Sequence, residues 1–197
     1  GAGVSTGAMA TLVPELDILE LPYLFKSHEQ ADAALDGPAR PIIEEILDKK
    51  GFKLLMYSEN GYRSLGSKGG FLKTPADLKG RKMRSQESPV HVETYRALGA
   101  SPVTISVGEV LSALQTGVVE GFDNTPLYTQ AVSWYQAVDH FTVTEHIYQP
   151  AVIVVNKRWF NTLPADIQTV LTEIADKLTK KGRKKVRQLG PALLDNF

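Results

Sequence analysis

Hydrophobic positions along the chain follow a helical period in some segments and an extended pattern in others. Residues 107–114 carry hydrophobic side chains at i, i+3, i+4 and i+7, which predicts one face of a helix. Residues 147–155 form the longest run rich in β-branched side chains, which is typical of a buried strand. Segments of the two kinds alternate along the chain, and this alternation predicts an α/β protein.

Proline, glycine and capping residues mark the ends of several predicted elements. The segment TPAD at 74–77 has the signature of a capping box with proline at the first helical position. The predicted strands cover 52–58, 82–85, 118–122 and 147–155. The other predicted helices begin at Pro38, Ser88 and Pro164, and the last of them has a hydrophobic face made of Ile167, Val170, Leu171, Ile174 and Leu178.

The composition excludes several classes of protein. The chain has 197 residues, and its 22 lysines and arginines balance its 22 acidic residues, which argues against a nucleic-acid binder with a basic excess. Cysteine is absent, so disulfides, thiol nucleophiles and Cys-ligated metals are excluded. The densest apolar run, 151–155, is far shorter than the ~20 residues that cross a bilayer. These features favour a globular protein that handles a small molecule.

Both ends of the sequence have the character of cut ends. Gly1–Ser5 contains no start Met and no targeting peptide, and 193–197 stops without a capping signal. We therefore expect a processed or truncated chain.

Two kinds of candidate catalytic residue occur, and neither completes a known arrangement. GVSTG at 3–7 matches the G-x-S-x-G nucleophile elbow, but only four residues precede Ser5 and Pro14 would interrupt the helix that should follow. A turn of small residues is the simpler interpretation. The four histidines lack the spacing of a helical metal pair, so we expect each to be an ordinary surface or core histidine, with no metal and no cofactor. They are His28, His91, His140 and His146.

A basic run lies in the last predicted helix. A solvated helix face explains it better than a nucleic-acid or membrane site, because the rest of the chain offsets its charge. The run consists of Lys177, Lys180, Lys181, Arg183, Lys184, Lys185 and Arg187.

Two arginines and an asparagine lie near the ends of predicted strands. Arg63 follows the predicted turn 60–62, Arg84 lies inside the short strand 82–85, and Asn124 closes the strand that begins at 118. Strand ends in an α/β sheet point toward the ligand crevice, where a guanidinium can bind a carboxylate with two parallel hydrogen bonds. Pairing of each arginine with a structural Asp or Glu is equally compatible with the sequence. Asn124 could donate to a ligand or hold its own turn.

Several blocks of sequence resemble one family in the same order. They are residues 13–25 (VPELDILELPYLF), 59–63 (ENGYR), 77–84 (DLKGRKMR), 97–102 (ALGASP), 109–124 (EVLSALQTGVVEGFDN) and 156–168. Over nearly the whole chain they resemble the DctP-type solute-binding proteins, the extracytoplasmic components of tripartite ATP-independent periplasmic (TRAP) transporters.

The resemblance implies a two-lobe fold of the periplasmic-binding-protein type. Lobe I would comprise residues 1–61 and 149–197, and lobe II residues 62–148, joined by crossing strands and long helices. It also implies that the first strand and helix of lobe I, which line one wall of the pocket, and the C-terminal tail are absent from this chain.

The resemblance also implies a set of binding residues. Arg84 matches the arginine that clamps the ligand's carboxylate, Arg63 matches a second arginine and Asn124 an asparagine of the same pocket. Proline directly follows that asparagine in many members, whereas here Thr125 intervenes. Further expected wall residues are Glu87, Val107, Ser5, Tyr148 and Gln149.

The function implied is capture of a small organic acid by a periplasmic, monomeric protein that delivers it to the membrane subunits of a TRAP transporter. The protein would then be no enzyme and would bind no nucleic acid. Two alternatives remain open at this point: the effector-sensing domain of a regulator, and a hydrolase that uses Ser5.

Overall fold

Two long antiparallel strands form the centre of the structure, a computed structural model that describes residues 1–195. They are β2 (Phe52–Ser67) and β6 (His140–Asn156). The remaining strands are β1 (Ala2–Ser5), β3 (Lys82–Ser85), β4 (Ser101–Thr104) and β5 (Gly121–Asn124). All six join in one sheet with the order β1-β6-β2-β5-β3-β4.

The strands pair antiparallel on one side of the sheet and parallel on the other. β1, β2 and β6 pair antiparallel, and so do β2 and β5, whereas β3 pairs parallel with both β4 and β5. Parallel strands need a crossover, and the helix between β3 and β4 supplies one. Because β3 and β5 run in the same direction, their carboxyl ends, at Ser85 and Asn124, lie on the same edge of the sheet.

Helices connect and cover the strands. They are α1 (Thr6–Met9), α2 (His28–Asp36), α3 (Ala39–Lys49), α4 (Pro75–Leu78), α5 (Pro89–Ala97), α6 (Val110–Gln115), α7 (Pro126–Ala131), α8 (Lys157–Asn161), α9 (Ala165–Glu173) and α10 (Ala175–Leu194). Shorter 3₁₀ turns cover Pro14–Glu20, Val107–Glu109 and Trp134–Ala137. The capping box predicted at Thr74 and Asp77 is present. None of the described helices combines the length and the apolar character required to cross a bilayer.

The buried hydrophobic residues form three clusters. The first gathers side chains from residues 9–57 and 148–154, including Leu35 and Tyr148. The second and third gather side chains from residues 65–134, around Met83 and Trp134 respectively. The long strands β2 and β6 extend from the first cluster into the region of the other two.

The strands run longer than the sequence predicts. The predicted turn at 60–62 is wrong: β2 continues to Ser67, with register shifts against β6 on both sides of the segment. Gly61 takes a positive φ of 107°, which a glycine adopts without strain, so the segment forms an irregularity within the strand. The strand predicted at 118–122 lies further along the chain: β5 begins at Gly121, and Val118 is exposed.

The C-terminal region also differs from its prediction. The single helix expected after Pro164 is two helices, α9 and α10, and the hydrophobic face of the predicted helix is largely exposed. Val170, for example, is 58% exposed. Ile42 of α3 is likewise exposed.

The basic run lies on α10, and its two arginines form ion pairs instead of facing solvent freely. Arg183 is buried and pairs with Asp32 and Asp36, while Arg187 pairs with Asp32 and Glu59. The lysines of the run are exposed. The prediction of a solvated face is therefore right for the lysines and wrong for these arginines, because α10 packs against β2 and the acidic end of α2.

We predict that Gly121→Ala destabilises the fold. A Cβ at Gly121 would lie 2.5 Å from the carbonyl oxygen of Gly66 on the neighbouring strand and 2.8 Å from Cε of Met83. Relief of such a contact requires a shift of the backbone, which costs about 1–3 kcal/mol. Urea unfolding should show this loss in Gly121→Ala and little change in Gly108→Ala, where the added Cβ meets nothing within 4 Å. Equal stability of the two variants would contradict the prediction.

Candidate functional site

A cavity of about 580 Å³ opens where the centres of β2 and β6 meet the ends of β1, β3 and β5. Its polar lining comes from distant parts of the chain that the sheet order brings together. The polar lining residues are Ser5, Thr11, Ser58, Glu59, Asn60, Arg63, Arg84, Gln86, Glu87, Ser106, Asn124, Tyr128 and Gln149. Of the eight predicted binding residues, the cavity contains all but Tyr148.

Arg84 lies on β3 and is only 3% exposed. Its Nε donates to the carbonyl oxygen of Ile105 at 3.0 Å, and its guanidinium carbon lies 5.2 Å from the ring centroid of Trp134. These two contacts fix the plane of the group. Among residues 1–195, no carboxylate lies within ion-pair distance of Arg84. The cation therefore has no acidic partner from the described part of the chain.

Burial and the neighbouring charge of Arg63 lower the pKa of Arg84 to about 10. A pKa at this value still leaves the guanidinium positively charged at neutral pH. Since burial penalises the charged form, an anion entering the cavity would relieve part of this penalty.

Arg63 also lines the cavity, but its charge is already balanced. Its Nε donates to Oδ2 of Asp123 at 2.5 Å, and its Nη2 donates to the carbonyl oxygen of the same residue. Its Nη1 donates to Oε1 of Gln149 at 2.8 Å. The structural pairing that the sequence left open is therefore present for Arg63 and absent for Arg84 among the described residues. A ligand contact from Arg63 stays a prediction.

The amide of Asn124 has a defined orientation. Its Oδ1 accepts from the backbone N–H of Thr125 at 2.8 Å and from Nδ2 of Asn60 at 3.2 Å. Because the oxygen is occupied, the group that Asn124 can offer a ligand is its Nδ2 donor. Thr125, the next residue, caps α7 by accepting from the backbone N–H of Tyr128.

Gln149 and Tyr148 lie on opposite faces of β6. Gln149 faces the cavity, whereas Tyr148 packs in the first hydrophobic cluster and donates to Oε2 of Glu59 at 2.6 Å. Successive residues of a strand point to opposite faces, so these two side chains have different surroundings. Tyr148, which we expected to form part of this wall, is not among the lining residues of the cavity.

The other predicted wall residues lie at the rim. Glu87 and Val107 are exposed, and Ser5 accepts from the backbone N–H of Ala8 as the N-cap of α1. Among the described residues, no histidine or carboxylate is hydrogen-bonded to the hydroxyl of Ser5. The geometry of a nucleophile elbow with a triad is thus not found in residues 1–195.

Sequence reasoning missed a buried group of charges beneath the cavity. Glu20 accepts from Nε2 of His91 at 2.8 Å and from Nε2 of Gln149 at 2.7 Å. The other ring nitrogen of His91, Nδ1, lies 3.6 Å from Oδ2 of Asp123, which also holds Arg63. No local motif joins the four charged residues, Glu20, Arg63, His91 and Asp123, because each comes from a different element.

Electrostatics within this charge cluster (Glu20, Arg63, His91 and Asp123) favour the charged form of each member. Burial alone would raise the pKa of Asp123, but Arg63 and two histidines hold it well below its usual value. Burial likewise opposes ionisation of Glu20, and His91 lowers its pKa overall. Burial would lower the pKa of His91, but the neighbouring carboxylates of Asp123 and Glu20 raise it above its usual value. Two negative and two positive charges then balance.

Within residues 1–195, no group of three or more His, Cys, Asp or Glu side chains has the geometry to hold a metal ion. The groups that the cavity offers a ligand include the guanidinium of Arg84, the amide N–H₂ of Asn124 and several hydroxyls.

Comparison with solved structures gives the fold. The chain superimposes with a TM-score of 0.93 on the sugar acid binding protein DctPAm from Advenella mimigardefordensis in complex with galactonate, at 32% identity over 98% of this chain and 62% of that one. A TRAP periplasmic solute-binding protein from Sulfurospirillum deleyianum with bound succinate gives a TM-score of 0.92 at 27% identity, over 99% of this chain and 63% of that one.

Comparison with curated proteins gives the family. A solute-binding protein of Verminephrobacter eiseniae is 38% identical over 92% of this chain and 54% of its own length. The C4-dicarboxylate-binding periplasmic protein DctP of Rhodobacter capsulatus is 35% identical over 89% of this chain and 55% of its own length. The chain thus spans about half the length of these relatives. The DctP family model matches residues 2–197. The chain therefore belongs to the DctP family, the bacterial extracellular solute-binding proteins of family 7.

Proposed function

We propose that the protein carrying this chain is a periplasmic solute-binding protein that captures a small organic acid in the cavity and delivers it to the membrane subunits of a TRAP transporter. The observation that carries the proposal is the charge of Arg84, which is buried, cationic and without a carboxylate partner among the described residues. Such a group costs free energy in the empty protein, and a ligand carboxylate would lower that cost.

The roles of the lining residues follow from the hydrogen bonds that remain available. Arg84 would bind the carboxylate through its terminal nitrogens, since its Nε is already bonded to Ile105. The Nδ2 of Asn124 would donate to a carboxylate or hydroxyl oxygen. Arg63 would contribute mainly by its position, because Asp123 and Gln149 already accept three of its hydrogen bonds.

Two lobes that close over the ligand are part of this proposal. Lobe I would comprise 1–61 and 149–197, and lobe II 62–148, with β2 and β6 crossing between them. The grouping of buried side chains into one cluster from 9–57 and 148–154 and two from 65–134 supports this division. Closure is a hinge motion of the type seen in periplasmic binding proteins.

The alternatives receive less support. Catalysis by Ser5 would need a base, and the hydroxyl acts as a helix cap. A ligand-sensing domain of a regulator shares the two-lobe design, so fold alone does not separate it from a transport protein. A signalling or DNA-binding segment in the same polypeptide would favour the regulator.

We predict that a carboxylate ligand raises the thermal stability of the protein. A ligand present at 100 times its Kd adds about 2.7 kcal/mol to the free energy of unfolding. A thermal-shift screen should include D-galactonate, D-glucuronate and succinate beside their uncharged counterparts, such as galactose. An increase with acids and none with the neutral compounds is expected. Stabilisation by galactose as large as that by galactonate would contradict the role of Arg84.

We predict that Arg84→Ala abolishes most of this binding. Loss of one partner of a buried ion pair costs about 3–5 kcal/mol, which corresponds to a loss of affinity on the order of 10²–10³-fold or more. Titration calorimetry with the best acid of the screen measures the effect. The fold should persist, because no described carboxylate loses its partner. Arg96→Ala is the control, since Arg96 is exposed on α5 and pairs with the exposed Glu93. Unchanged affinity in Arg84→Ala would overturn the proposal.

We predict that Arg84→Lys also binds poorly. An ammonium keeps the charge but cannot form two parallel hydrogen bonds with a carboxylate. If charge alone determined binding, calorimetry would find nearly wild-type affinity in this variant. A loss of at least tenfold would show that the planar fork is required.

A further inference from the structure

We propose that His91 is a positioning residue of the ligand site, and that its imidazolium charge holds two side chains that line the cavity. His91 itself is not among the lining residues. The inference rests on the proposed function only in treating the cavity as a ligand site.

The argument begins with the two carboxylates that face His91. Its Nε2 lies 2.8 Å from Oε2 of Glu20, and its Nδ1 lies 3.6 Å from Oδ2 of Asp123. A neutral imidazole carries one donor and one acceptor nitrogen, so it would direct a lone pair at one of these carboxylates. Only the imidazolium presents an N–H to both. The geometry therefore matches the charged form.

The buried charges around His91 also favour its imidazolium form. Glu20 and Asp123 are both at most 1% exposed, and Arg63 supplies one buried positive charge against them. Without the charge of His91, Glu20 would have no cation within ion-pair distance among the described residues, and an unpaired buried carboxylate is costly.

Other groups from each neighbouring element face this charge cluster. Tyr95 on α5 donates to Oδ1 of Asp123 at 3.0 Å, and His146 on β6 lies 3.6 Å from Oδ2 of the same residue. The charge of Arg84 on β3 also interacts with Asp123, and Thr6 on α1 donates to Glu20.

The two carboxylates connect His91 to side chains that line the cavity. Glu20 accepts from Nε2 of Gln149, which orients that amide so that its Oε1 accepts from Arg63 and from Asn60. Asp123 holds Arg63 directly. If His91 lost its proton, Glu20 and Asp123 would have one positive charge fewer beside them. The positions of these carboxylates, and with them the orientations of Gln149 and Arg63, would then be less well fixed.

His91 also has its own path for proton exchange. A second cavity of about 130 Å³ is lined by His91, Asp123 and His146, together with side chains such as Thr144 and Leu72. It shares no lining residue with the ligand cavity. A proton can therefore reach the charge cluster from this side while a ligand occupies the other.

The sign of the pH dependence follows from the raised pKa of His91. A group whose pKa is higher in the folded protein stabilises the fold fully below its unfolded value of about 6.5. This contribution is lost as the pH rises through the folded value. Ligand affinity should fall over the same interval.

The deciding experiment is an NMR titration that requires no ligand. We expect the side-chain amide signals of Gln149 and Asn60 to shift with the same midpoint, above pH 6.5, as the ring signals of His91. In His91→Gln this transition should disappear from both amides. In the control His140→Gln it should persist, because His140 lies outside the cluster and pairs with Asp139. A titration of His91 without a response of Gln149, or a response that survives in His91→Gln, would overturn the inference.

Binding gives a second readout. With D-glucuronate as the probe, affinity should fall at least tenfold from below to above the His91 midpoint in the wild type, and should be low and flat in His91→Gln. If no acid binds the wild type, the proposed function fails, and the amide titration still decides the role of His91. If the wild type binds D-glucuronate equally well on both sides of the midpoint, the positioning role is overturned while the proposed function remains.

Discussion

The unequal compensation of two neighbouring arginines determines the chemistry of this molecule. Arg63 and Arg84 line the same cavity, and both are almost completely buried. Asp123 neutralises the first, while the second has only a carbonyl oxygen and the face of Trp134 as partners among the described residues. Burial makes an uncompensated cation expensive, and the same low dielectric makes its interaction with an incoming anion strong. The site is thus prepared to bind an anion because no described carboxylate neutralises Arg84.

The remainder of the site is arranged around this difference. Each polar group beneath the cavity has a partner that fixes its orientation: Glu20 for Gln149, Asp123 for Arg63, and Thr125 for Asn124. Such contacts leave few alternative arrangements for the donors that face the cavity. A preorganised site loses less entropy when it binds than one whose side chains must first be ordered.

The local features of this fold could be predicted from the sequence, and its long-range pairings could not. The α/β class follows from periodicity, and the short strand that carries Arg84 was predicted with its correct limits, 82–85, because helix signals bound it on both sides. The partner of Arg63 lies 60 residues away, and the register between β2 and β5 that brings them together has no local signal. His91 is a similar case, since its carboxylates come from a 3₁₀ turn and a strand. The turn predicted at 60–62 failed because a glycine with positive φ can serve an irregularity within a strand as well as a reversal.

The alternation of Tyr148 and Gln149 on β6 has a consequence for how this protein can change in evolution. The first of these side chains contributes a phenol to a hydrophobic cluster, and the second an amide to the cavity. A single-residue insertion or deletion in the strand before them would exchange the two faces. The aromatic ring would then obstruct the binding space, and a polar amide would be stranded among apolar neighbours. Point substitutions can therefore remodel this wall of the cavity, whereas an insertion or deletion of one residue in β6 would disrupt it.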